Sequence, residues 1–237
     1  PHFADGRNVT RNLSPYTAID SIARTRAATG RLLRALGLSL ALVISMMTSA
    51  VADNDVARWL VELRAEARGL GISDATLDSA LNEVTLNERV IELDRSQPEF
   101  NLTFDEYLSR FVSEWRRQTG AKMLVEHADI LDEVEKKYGV QKRFLITFWG
   151  METSFGRYLG SFNVPRSLVT LAYDGRRSAY FRKELLNALR IIEEGHITAP
   201  EMNGSWAGAM GQSQFMPSSF VNYAVDWNGD GRRDIWG

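Results

Sequence analysis

Apolar residues recur at helical spacing along most of the chain after residue 52, and no alternating strand pattern persists anywhere. Asp53 to Arg68 predicts an amphipathic helix with Val56, Trp59, Leu60, Leu63 and Ala67 on one face, stopped by Gly69-Leu70-Gly71. Ser73 is placed to cap a short helix carrying Leu77 and Leu81. Gln97-Pro98 interrupts the pattern, and Thr103-Phe104-Asp105-Glu106 is a capping-box signature. The helix it opens should stack Tyr107, Leu108, Phe111, Val112 and Trp115 along one side, with a further helix from Gly120 to Tyr138 closed by Gly139. The Phe144 segment reads as a helix ending near Glu152, Leu168 to Tyr173 as a short helical turn, and the stretch after Asp174-Gly175 as a longer helix. That last helix carries Phe181, Leu185, Ala188, Leu189 and Ile192 at helical spacing. The predicted fold is mostly α.

The first 52 residues are read as a separate segment. Arg24, Arg26, Arg31 and Arg34 precede an apolar run from Ala35 to Met47, and Ala50-Val51-Ala52 supplies small residues for a signal peptidase. A membrane anchor is the alternative, but spanning takes about 20 apolar residues and this run is shorter. An exported, periplasmic protein is therefore expected, with residues 1–52 a leader and residues 53–237 the folded domain. With no cysteine, neither a disulfide nor a lipid-modified cysteine is expected. Setting the leader aside removes six Arg and two Asp, leaving 22 basic and 28 acidic residues and a net charge near −6. That balance argues against nucleic acid as a partner.

The candidate chemistry begins at Phe144 to Arg157, where a single carboxylate, Glu152, stands among Ile146, Phe148, Trp149, Met151 and Phe155. Desolvation by such neighbours would keep it protonated for use as a general acid. The alternative is a helix-end glutamate reaching solvent or pairing with Arg157. From Gly204 to Ser219 the texture changes to glycines and small residues, with Trp206, Gln214 and Phe215 offering flat faces and an amide suited to an N-acetylated sugar. A tight loop packed under a helix begun by Pro217 is the alternative there. Asp226 to Asp234 reproduces the first nine places of a calcium loop, with oxygen ligands at positions 1, 3, 5 and 9 and glycine at 6. Position 12 is Gly237 where a Glu is expected. His2, His127 and His196 are too scattered for a zinc motif, and His127 reads as a surface or packed residue. Gly211 to Phe215 lacks the closing glycine of a nucleophile elbow.

Taken together, Trp149 to Gly156, Leu168 to Arg177, Gly204 to Ser219, Asp226 to Trp236 and Asp94 to Phe100 resemble, in order, the lytic murein transglycosylase B family. The resemblance implies a lysozyme-like α domain with an EF-hand-like loop near its C-terminal end, acting on the glycan strands of bacterial peptidoglycan. Glu152 would be the lone acid/base. Ser205 and Gln214 would orient substrate, with Phe215 and Tyr107 as subsite residues and Arg176 and Arg177 facing substrate carboxylates. Asp226, Asn228, Asp230 and the carbonyl of Arg232 would hold a structural Ca2+, and no organic cofactor is expected. Cell-wall synthesis enzymes are possible partners. Family members continue past the metal loop, so the domain is expected to be truncated here and weakly active in this form. Two other functions stay open: a non-catalytic peptidoglycan-binding scaffold of the same fold, and a hydrolytic muramidase.

Overall fold

The computed structural model describes residues 55–96 and 103–237; the leader segment and the Gln97 to Phe100 part of one motif lie outside them. The chain divides into two units, residues 1–57 and residues 58–237. The second contains the elements that build the site. The first described helix, α1, runs over 55–69. Then come α2 (Asp74–Leu81), α3 (Glu88–Ser96), α4 (Phe104–Phe111), α5 (Glu114–Glu126), α6 (Ala128–Tyr138), α7 (Lys142–Thr153), α8 (Val164–Asp174), α9 (Ser178–Glu193) and α10 (Pro217–Tyr223). A two-residue antiparallel pair, β1 (Phe162–Asn163) with β2 (Asn203–Gly204), joins the start of α8 to the loop after α9. No helix among the described residues is long and apolar enough to cross a membrane.

Local signals decide most helix ends. The Ser73 hydroxyl accepts from the Thr76 N–H at 3.3 Å, and the Thr103–Glu106 capping box closes in both directions. Gly139 ends α6 at φ 71°, and Pro217 opens α10. Three expectations are corrected. The helix expected through Trp115 breaks after Phe111, because Ser113 caps a new one by accepting from the Arg116 N–H at 3.3 Å. Gly120 begins nothing: it lies inside α5, where an added Cβ would stand 3.4 Å from Ile146 Cγ2 and 3.5 Å from the Phe155 ring, and the break falls at His127 instead. The expected turn at Leu168 is the eleven-residue α8. Its eight buried positions run from Val164 to Ala172, so it shows no one-sided pattern to read.

The core gathers around α8 and α9. Leu63 and Ala67 of α1, Leu77 and Leu81 of α2, Val90 of α3, Phe181 and Leu185 of α9 and Phe220 of α10 all close on it. Burial of this apolar surface is the main source of stability. By contrast, α5, α6 and α7 pack on one another and bury few side chains: none on α5, Leu131 on α6, and Ile146, Gly150 and Thr153 on α7.

A five-residue ionic brace fastens α3 to the turn between α8 and α9. Buried Asp94 accepts from Arg176 Nε and Nη2 at 2.7 and 3.0 Å and from Arg177 Nη2 at 2.7 Å, and neighbouring Arg95 pairs with Asp174 at 2.7 Å. Two sequence motifs some eighty residues apart are thus the two halves of one structural device.

Candidate active site

Helix α7 has two working faces. Leu145, Phe148, Trp149 and Glu152 follow the i, i+3, i+4, i+7 spacing of one stripe and together line a groove of about 840 Å3. The opposite wall is Gln212, Ser213 and Phe215 from the loop before α10, with Asp234 and Ile235 beyond it, and His127 and Ile130 close the α6 side. Met151 faces away, into a separate cavity of about 350 Å3 between α5 and α7.

The helix stops abruptly after Thr153. Ser154, Phe155 and Gly156 are all left-handed, at φ 54°, 61° and 80°. For Ser and Phe this backbone is costly, and surrounding contacts must hold it. The reversal drives the Phe155 ring against Gly150, where an added Cβ would sit 2.6 Å from Phe155 Cζ. The ring also stands edge-on to Trp149 at 5.6 Å. At Gly156 a Cβ would come 2.5 Å from Gln212 Oε1. Both glycines of the Trp149–Gly156 motif therefore admit a neighbour that any side chain would exclude.

Gln212 ties this turn to the opposite wall. Its Oε1 accepts from Trp149 Nε1 at 2.5 Å, its carbonyl accepts from the Thr153 hydroxyl at 3.1 Å, and its N–H donates to the Ile235 carbonyl at 2.7 Å. The His127 ring, 5.4 Å from that of Trp149 and edge-on to it, supports the same indole.

The expected surroundings of Glu152 are corrected. The side chain is exposed, not desolvated, because residues adjacent in sequence are spread around a helix: Ile146 and Phe155 turn inward, Met151 turns to the other cavity, and Phe148 is itself 65% exposed. The alternative pairing is also not found. Arg157 lies over the Trp115 ring at 5.1 Å, and Glu152 has no hydrogen-bond or salt-bridge partner among the described residues. The other carboxylate on the groove, Asp234, accepts at Oδ1 from the N–H groups of Trp236 and Gly237 at 2.8 and 3.2 Å.

Of the remaining predicted residues, Phe215 alone joins Glu152 on the groove. Ser205 closes a turn, its Oγ accepting from the Ala209 N–H at 3.0 Å. Gln214, at φ 49°, donates through Nε2 to the carbonyls of Leu159 and Gly211 at 3.2 and 2.9 Å. Trp206 is partly buried against the core. Tyr107 stacks on Phe111 of its own helix, ring centroids 4.5 Å apart, and does not line the groove. Arg176 and Arg177, expected to face substrate carboxylates, instead clamp the buried carboxylate of Asp94. Gln212 was given no role from sequence, His127 was read as a surface or packed residue and Asp234 as the ninth place of a calcium loop; their place on the groove becomes visible only through partners far along the chain.

In the Asp226–Asp234 segment the oxygens fold onto their own backbone. Asp226 accepts from the N–H groups of Gly229 and Gly231, both at 2.8 Å, with the two glycines at φ 75° and 88°. Hydrogen bonds from the Asn228 amide and the Arg232 N–H hold the Asp230 carboxyl below the usual carboxylate range. This oxygen-only donor set suits a hard cation. Among the described residues, no three acidic or histidine side chains are gathered as a ligand group.

The described residues thus form a mostly helical domain carrying a groove with one unpartnered carboxylate among its lining residues. The family profile of the transglycosylase SLT domain matches residues 55–237, and the chain belongs to this family, whose fold is lysozyme-like. It is 35% identical over 131 residues to the membrane-bound lytic murein transglycosylase B of Escherichia coli (strain K12), covering 55% of this chain and 36% of that protein. Pseudomonas aeruginosa SltB3, solved in complex with NAG-NAM-pentapeptide, is 44% identical with a TM-score of 0.74, over 77% of this chain and 49% of that one. Escherichia coli Slt35, solved in complex with calcium, is 30% identical with a TM-score of 0.67, over 76% and 57%. The chain thus spans 36–57% of the length of these relatives.

Proposed function

We propose that the protein is a peptidoglycan lytic transglycosylase, cleaving the β-1,4 bond between N-acetylmuramic acid and N-acetylglucosamine without water. The observation that carries this is Glu152, unpartnered on the wall of a groove open enough for a glycan strand. A strand seated there would replace the water around this carboxyl with sugar and the faces of Phe148 and Trp149. Glu152 then protonates the glycosidic oxygen as the C1–O bond breaks. The substrate's acetamido oxygen stabilises the positive C1. The resulting carboxylate takes the proton of the muramyl 6-hydroxyl as O6 bonds to C1, giving a 1,6-anhydro end and restoring the acid. No second carboxylate is required, unlike the usual glycosidase pair, and Asp234 is already engaged by backbone N–H groups.

The test is digestion of purified murein by the intact protein, with products resolved by mass spectrometry. Anhydro-ended muropeptides are expected. Reducing ends would make it a muramidase, and binding without release a scaffold. A periplasmic location is part of the same proposal, supported by the leader read over residues 1–52 and by the proposed substrate.

We also propose a structural Ca2+ at the Asp226–Asp234 segment, held by Asp226, Asn228, Asp230 and the Arg232 carbonyl; the support is the oxygen donor set and its glycine-built turn. Calcium at a hundred times its Kd should add about 2.7 kcal/mol to the intact protein. Thermal melts with calcium and with chelator should therefore differ, and Asp226→Ala should remove the difference. Superimposable melts of the unaltered protein would dispose of the metal.

A further inference from the structure

Two glutamines, two positions apart in the loop before α10, use their amides in opposite ways. Gln214 directs Nε2 at two main-chain carbonyls, those of Leu159 and Gly211. A side-chain amide has two N–H donors, so Gln214 keeps none for a ligand. Gln212 is held at its backbone N–H, at its carbonyl and at Oε1, and its Nε2 makes no hydrogen bond among the described residues. Its orientation is settled by chemistry. The indole of Trp149 can only donate, so it must meet Oε1, and the NH2 is the end left over. The amide packs over Gly156, in space that only a glycine leaves free: an added Cβ would stand 2.5 Å from Oε1 and 3.4 Å from Nε2. The groove therefore carries an amide whose oxygen end is pinned and whose NH2 end is unused, among lining residues that include Glu152, Trp149 and Phe215.

We propose that Gln212 is a specificity-determining residue whose Nε2 donates to the carbonyl oxygen of an acetamido group on the bound glycan. This rests on the functional reading above and deepens it. An acetamido group pairs a methyl, which suits the aromatic walls, with a carbonyl that loses its water on entering and needs a protein donor in exchange. Sugar hydroxyls do not impose that requirement, since each can donate as well as accept.

The experiment uses the intact protein and two probes, the tetramer of β-1,4-linked N-acetylglucosamine and its fully de-N-acetylated counterpart, with affinity measured by calorimetry. The unaltered protein should bind the acetylated tetramer at least about tenfold more tightly than the other, the scale of one or more hydrogen bonds. Gln212→Glu keeps an oxygen against the Trp149 N–H but removes the donor. It should leave the Trp149 indole N–H resonance near its place, weaken acetylated binding about tenfold or more, and not weaken binding of the de-N-acetylated tetramer. Gln212→Leu should move that resonance and weaken acetylated binding likewise. Equal affinity of the unaltered protein for both tetramers overturns the assignment even if neither variant folds. So does undiminished acetylated binding by Gln212→Glu, or an equal loss for both probes. The outcomes separate the two proposals. Anhydro-ended products with no acetamido selectivity would sink the Gln212 role alone, and selective binding without murein cleavage would sink the transglycosylase reading alone.

Discussion

Glu152→Gln is expected to lower murein turnover by about 10^2–10^4, the usual share of a general acid, while the melting temperature barely moves. The two halves of that expectation have one cause. The carboxyl is exposed and makes no hydrogen bond or ion pair among the described residues, so its loss removes no folded-state interaction. The amide has nearly the same shape but no proton to transfer to a leaving oxygen. Turnover measured by release of anhydro-ended muropeptides, beside a thermal melt, checks both halves at once. A variant that still cuts near the normal rate would take Glu152 out of the chemistry and turn attention to Asp234 across the groove.

Asp94→Ala should produce the opposite pattern, a large loss of stability from a residue outside the groove. Asp94 is 2% exposed and accepts three hydrogen bonds from two guanidinium groups. Removing one partner of a buried ion pair costs about 3–5 kcal/mol. Because both arginines are nearly half exposed and regain water, about 3 kcal/mol is the better figure here. That should lower the melting temperature by about 10 °C for a domain of this size. The acid limb carries the same signature. Burial pushes the Asp94 carboxyl up, but hydrogen bonds and charge from Arg176 and Arg177 outweigh it and hold the group below its usual range. A depressed folded-state value means the stabilisation is fully present above the unfolded value, near 3.9, and is lost as pH falls through the lower folded one. Urea titrations at neutral and acid pH should show the unaltered protein losing this share of its stability and the variant lacking it from the start. Coincident curves at neutral pH would mean the brace contributes nothing.

Features decided within four residues were legible in the sequence. The Ser73 and Thr103 caps and the Gly139 stop all stand where they were expected, and the Pro217 start stands where the alternative reading of that stretch put it, because each depends only on its own turn of backbone. Features decided by a distant partner were not. Gly120 inside α5 is explained only by Ile146 and Phe155 lying against it. The length of α8 was hidden because burial on all sides erases the amphipathic pattern. The same division runs through the site. Glu152 could be picked out by type and setting, yet its exposure follows from which way α7 is rolled, something adjacent residues do not reveal. Arg176 and Arg177 looked available until Asp94, 82 and 83 positions away, was found between them.

The left-handed stop after Thr153 has a consequence for anyone redesigning this domain. Nothing grips the Glu152 side chain, so only the length and roll of its helix aim it. Each residue of an α-helix turns the chain by about 100° and advances it about 1.5 Å. A single insertion between Trp149 and Glu152 would therefore swing the carboxyl off the groove and toward the α5 side, however well the rest of the domain folded. Side chains along this wall can be exchanged to retune what the groove accepts, but the residue count between indole and acid has to stay as it is.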